Sequence, residues 1–107
     1  MEYKLRIAKG NSSEEERIAR LLVDHHRIRA TPYLNGTEPL SEGYEEIHNF
    51  AVMLDALGDA LIGQKKKEGL QHLNEALDLC KKVNDRLQAA VVYQHMGWAC
   101  RGVEELK

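Results

Sequence analysis

With 107 residues and a mass of 12.2 kDa the chain has the size of one domain, enough for a core with little to spare. A formal net charge of -2 and a pI near 6.2 provide no overall cationic field, which argues against nucleic acid and anionic membrane surfaces as partners. The N-terminus lacks an apolar signal core, no apolar run nears the ~18 residues that cross a bilayer, and Cys80 and Cys100 fall in predicted helices instead of a loop-rich framework. A chain with reduced thiols in the cytoplasm is therefore expected.

Residues 1–10 open with Tyr3, Leu5 and Ile7 alternating with Glu2, Lys4 and Arg6. This period-two pattern fits an arm packed on later helices, a helical turn, or a strand completed by another chain. Asn11-Ser12-Ser13 supplies helix caps, Ser12 with Glu15 and Ser13 with Glu16 have capping-box spacing, and Glu14 to Glu16 complement the helix dipole. The helix they begin carries Ile18, Leu21, Leu22, His25 and Ile28 on one face, and Thr31-Pro32 is expected to stop it near Ala30. The turn-rich stretch from Tyr33 to Pro39 is then the longest connection, so the first helix reads as an added cap or lid.

Ser41, with Glu42 and Glu45, is expected to start a second helix running to about Gly63, with Ile47, Phe50, Ala51, Leu54, Leu57 and Leu61 at three- and four-residue steps. Gln64 to Lys67 makes a turn. A third helix turns Leu70, Leu73, Ala76, Leu77 and Cys80 inward before Lys81 and Lys82 meet its C-terminal dipole. Asn84-Asp85 caps a fourth helix, which buries Ala89, Val92, Tyr93, Met96 and Cys100 and loosens near Gly102, the tail Val103 to Lys107 either continuing it or fraying. The fold expected over residues 1–107 is a single all-α domain of about four helices stacked as antiparallel helix-turn-helix units, with 1–40 as arm, first helix and loop.

A short pattern occurs twice: Leu54-x2-Leu57-Gly58-x2-Leu61 and Tyr93-x2-Met96-Gly97-x2-Cys100, with Gly69-x3-Leu73-x2-Ala76 between them. Each glycine sits on an apolar stripe and permits a second helix to approach closely. The pattern resembles the tetratricopeptide repeat, whose signature is W-x2-L-G-x2-Y followed by A-x3-F and P. Gly97 follows Gly58 by 39 residues, and Lys81-Lys82-Val83-Asn84-Asp85-Arg86 looks like the junction of the longer, roughly forty-residue form of the family. Gly69 stands at the small position of A-x3-F, and the proline is missing. The match spans Leu54 to Gly102, just under half of the chain.

The resemblance implies a non-catalytic scaffold that binds a protein or peptide partner in a groove lined by the first helix of each unit. Counted from the glycines, that groove comprises Val52, Asp55, Ala56, Asp59 and Ile62, then Val91, Gln94, His95, Trp98 and Arg101. Aspartates at 55 and 59 do not suit the lysine- and asparagine-lined grooves that clamp acidic C-termini. Ala56 and His95 replace the asparagine that grips extended peptides in many long repeats. An apolar anchor with a basic neighbour is the ligand such a groove suits. The alternative is a self-associating subunit that forms a homodimer through an uncapped last helix, its apolar edge around Val92, Met96, Trp98 and Val103.

An enzyme or metal-binding bundle is less supported. His25 and His26 diverge by ~100° on a helix, no H-E-x-x-H or C-x-x-C spacing occurs, and no nucleophile turn accompanies the cysteines. No cofactor and no metal is expected. Lys65-Lys66-Lys67 reads as a solvated turn, and Asn35-Gly36-Thr37 matches an N-x-T acceptor without consequence in the cytoplasm.

Overall fold

Four amphipathic segments fold into four helices: α1 (Ser12–Leu34), α2 (Tyr44–Gly63), α3 (Gly69–Lys82) and α4 (Arg86–Glu105), with one 3-10 turn, Leu40–Glu42, before α2. This computed structural model describes the backbone of residues 12–105 and the side chains of residues 13–97. The expected arm at 1–10 and the side chains of Trp98, Cys100, Arg101 and Val103 lie outside the described residues. Successive helices run antiparallel, and α2 is the central one, touching all three others.

The core forms on α2 because its apolar residues surround the helix. Ile47, Phe50, Ala51, Leu54, Leu57 and Leu61 are each at most 2% exposed, as their spacing predicts. Full burial of such a large side chain is worth about 1.5–3 kcal/mol, so this helix supplies much of the driving force for folding. From α3, Leu73, Ala76, Leu77 and Cys80 join it, again as predicted, with Leu70 packed at the margin.

The α2–α3 contact is set by two glycines. A Cβ on Gly58 would lie 2.8 Å from the carbonyl oxygen of Gly69 and 2.8 Å from Leu73 Cγ, and one on Gly69 would lie 2.5 Å from the carbonyl oxygen of Gly58. Backbone thus rests on backbone, the close approach for which glycine is needed. Both α2 and α3 end in the same way. Lys65 and Asn84 adopt left-handed φ of 61° and 57°. Around them Lys66 N donates to Leu61 O and Lys65 N to Ile62 O, while Asp85 N donates to Cys80 O and Asn84 N to Lys81 O. Each set satisfies the last carbonyls of its helix as a Schellman motif.

Two features of α1 differ from expectation. It does not stop at Thr31-Pro32 but continues to Leu34, with Pro32 inside its last turn. Pro32 has no N–H to offer the Ile28 carbonyl, yet the turn closes around it, with Asn35 N donating to Thr31 O at 2.9 Å and the Thr31 hydroxyl to Arg27 O at 2.7 Å. The ring of Tyr33 holds that turn down, occupying the space that a side chain at Gly43 would need. This packing also moves the start of α2 from Ser41 to Tyr44, with residues 40–42 as the 3-10 turn.

The buried face of α1 is rotated as well. Ile18, Ala19, Leu22, Val23, His26 and Ala30 face inward, whereas Leu21 and Ile28 are 45% and 74% exposed and His25 is exposed. α1 also packs along α2 as extensively as α3 does. Polar bonds fasten it at both ends: Glu16 accepts from Gln64 (2.7 Å) and Lys66 (2.9 Å), and Arg29 donates to Glu46 (3.0 Å). Arg27 spans to Glu75 of α3 at 3.3 Å and covers the Phe50 ring at 4.9 Å.

Candidate functional site

Placing α2 and α4 on the same side of α3 brings two histidines and two aspartates together in crossed pairs. Near the start of both helices, His48 of α2 pairs through Nδ1 with Oδ2 of Asp85, the residue that opens α4. Further along, His95 Nδ1 of α4 lies 2.8 and 3.0 Å from the two carboxylate oxygens of Asp55 of α2. The pairs 48 with 85 and 55 with 95 define a parallel register between the helices. Ten residues on α4 separate them, or ~15 Å at 1.5 Å per residue.

Asp85 has three roles at this joint. Its N–H closes the end of α3, its Oδ1 accepts the Gln88 N–H at 3.2 Å as the N-cap of α4, and its Oδ2 meets His48. Burial opposes its ionisation, but hydrogen bonds from His48, the Gln88 N–H and Tyr44 outweigh that and hold the carboxyl below its ordinary range. Tyr44 also stacks on His48, with ring centroids 5.9 Å apart. Asp55 behaves oppositely. Burial raises its carboxyl above the ordinary range, the nearby charge of Asp59 adds to this, and His95 offsets only part.

Cys80 of α3 lies against this seam. Its thiol is pushed up to about 11, first by burial and then by the charges of Asp85 and Asp55. Since a thiol reacts as its thiolate, Cys80 supplies no nucleophile at neutral pH, and the adjacent His–carboxylate pairs have no activated partner in it. Among the described residues, no three His, Cys, Asp or Glu side chains converge as a metal site would require.

The structure divides the groove residues expected from sequence. Asp55 and His95 are brought into contact, so Asp55, at 6% exposure, is committed to its partner instead of being open to a ligand. Val52 and Ala56 are half-buried beside it, and Asp59 and Gln94 are exposed. Ile62 does not join them: its Cγ1 lies against Gly69, in the α2–α3 contact. The side chains of Trp98 and Arg101 lie outside the described residues. Sequence reasoning missed His48 and Asp85 as site residues, although both pairs lie close to the 39-residue offset of the glycines.

Of the apolar edge expected on α4, Trp98 and Val103 lie outside the described residues, and the other two members are turned inward. Val92 is fully buried and Met96 packs against the core, whereas Leu87, Val91 and Tyr93 are 86%, 39% and 54% exposed. Tyr93 thereby leaves the list of inward residues. Beside it, a Cβ on Gly97 would meet nothing within 4 Å among the described residues. Past Gly102 the helix continues to Glu105, one of the two courses expected of the tail. No helix among the described residues is long and apolar enough to cross a membrane. Comparison with protein-family models, with curated proteins and with solved structures gives no match.

Proposed function

We propose that the chain is a non-catalytic, cytoplasmic binding module that resembles tetratricopeptide domains and receives a peptide or helix of a partner protein on the face between α2 and α4. One observation supports this reading above others. The Asp55–His95 contact fixes α2 and α4 in parallel register, with apolar Val52, Ala56 and Val91 beside solvent-facing Asp59 and Gln94. An apolar anchor resting on Val52, Ala56 and Val91 would bring a neighbouring lysine or arginine to Asp59, the exposed carboxylate of this face among the described residues.

The test uses a photo-crosslinking residue at position 56 or 94, with position 28 on the outer face of α1 as control. Partners are expected to crosslink from 56 and 94 alone, and Asp59→Lys should reduce their yield. Equal crosslinking from position 28 would overturn the reading.

A second reading has its own support: the uncovered strip of Leu87, Tyr93 and Gly97 suits self-association through α4. Light scattering over a concentration series tests it, with Tyr93→Lys as comparison. A concentration-independent monomer would refute it.

A further inference from the structure

The crossed pairs between α2 and α4 have a property that no apolar contact has. In each, the carboxylate is buried and the imidazole reaches solvent: side-chain exposure is 4% for Asp85 against 35% for His48, and 8% for Asp55 against 21% for His95. The proton-exchanging partner is thus accessible, and the charge that responds to it is held inside. Imidazole titrates within the physiological range, with an ordinary pKa of ~6.5.

We propose that α4 is held on α2 by a pH-dependent double latch, tight when His48 and His95 are protonated and loosened as they lose their protons. This concerns the docking of α4 itself and holds whether or not the neighbouring face binds a partner.

The sign follows from the surroundings. Among the described residues, Asp59 on α2 and Cys80 on α3 face Asp55 beside His95, and neither supplies positive charge to it. Around the His48–Asp85 pair are Tyr44 on α2, Cys80 and Lys81 on α3, and Arg86 on α4. With the imidazoles charged, each buried carboxylate has a counter-ion in contact. With them neutral, a hydrogen bond remains but the charge pair is gone, and Asp55 is left buried and anionic. An unpaired buried carboxylate is unfavourable, which fits the elevation of Asp55. The two latches sit at separate points along α4, so loosening both weakens its docking on α2 while Val92, Ala89 and Met96 still pack on the core.

Amide hydrogen exchange, corrected for the intrinsic effect of pH, reads this out. Exchange of residues 86–97 relative to α2 should rise about fivefold or more between about pH 6 and about pH 8. The rise should shrink in His48→Gln and in His95→Gln and vanish in the double variant, which keeps His25, His26 and His72. A ratio independent of pH in the wild type, or a rise that persists in the double variant, would overturn the proposal. Should the double variant not fold, NMR titration of the wild type decides. The His48 and His95 ring signals and the α4 amides must then share midpoints, and separate midpoints refute the latch.

Discussion

Gly58 and Gly97 occupy equivalent places in a repeated pattern, yet the same substitution should have opposite effects at the two sites. At Gly58 an added Cβ lies 2.8 Å from the backbone oxygen of Gly69 and 2.8 Å from Leu73 Cγ, against the 3.5–4.0 Å of an ordinary carbon contact. The backbone contact cannot be relieved by a rotamer change, so α3 must withdraw by roughly 0.7–1 Å, a gap that forfeits a quarter to a half of each contact's dispersion energy. Overpacking of this kind costs about 1–3 kcal/mol, and the separation of Leu73 and Ala76 from α2 places Gly58 in the upper half of that range or beyond. Alanine returns ~1 kcal/mol through its better helix propensity.

The net expectation for Gly58→Ala is a loss of about 1–3 kcal/mol, or a fall in Tm of roughly 5–20 °C for a domain of this size. At Gly97 the added methyl meets nothing among the described residues, so only the propensity term remains and Gly97→Ala should stabilise by about 0.5–1 kcal/mol. Thermal and urea denaturation followed by circular dichroism measure both. A neutral Gly58→Ala would refute the close crossing. A Gly97→Ala that destabilises as much as Gly58→Ala would mean that this side of α4 is covered in solution, and a Tm that then depends on protein concentration would assign the cover to a second copy.

Further substitutions test the helix junctions and the acid limb. Asp85→Ala removes the α4 cap and the partner of His48, and should cost about 2–3 kcal/mol in urea titrations, with Asp85→Asn recovering roughly 1 kcal/mol by keeping the cap. Lys65→Gly should stabilise by about 0.5–1 kcal/mol, since the left-handed backbone there strains lysine and suits glycine. Glu16 is held down to about 2 by hydrogen bonds from Lys66, Arg20 and Gln64, so its contribution is complete above its ordinary 4.5 and is lost as pH falls from 4.5 towards 2. Glu16→Gln should accordingly flatten the fall in Tm across that window, and an unchanged acid profile would place the loss elsewhere.

Which parts of this molecule were legible in the sequence depended on how completely each helix is enclosed. α2 is covered by three neighbours, so each of its apolar residues finds a core, and the period of 3.6 placed all six correctly. α3 was legible because its small residues mark the contact with α2. On α1 and α4 the rule that apolar means buried fails, since each has an open side where Leu21, Ile28, Leu87 and Tyr93 stand exposed. Their inward faces include His26, Asp85 and Gln88 instead, polar residues that a hydrophobic pattern discards. The seam was hidden for the same reason. Asp55 and His95 were both expected on a groove, but each was read as an open site for a ligand when each is the other's partner. The repeated pattern itself holds the information: with α2 and α4 in parallel register, residues about 39 apart become neighbours. Opposite chemistry at that offset, aspartate at 55 with histidine at 95 and histidine at 48 with aspartate at 85, then marks where α2 and α4 lock together. Where a sequence pattern recurs on two helices of one chain, charge complementarity at the offset between them is thus evidence of internal docking before it is evidence of a partner.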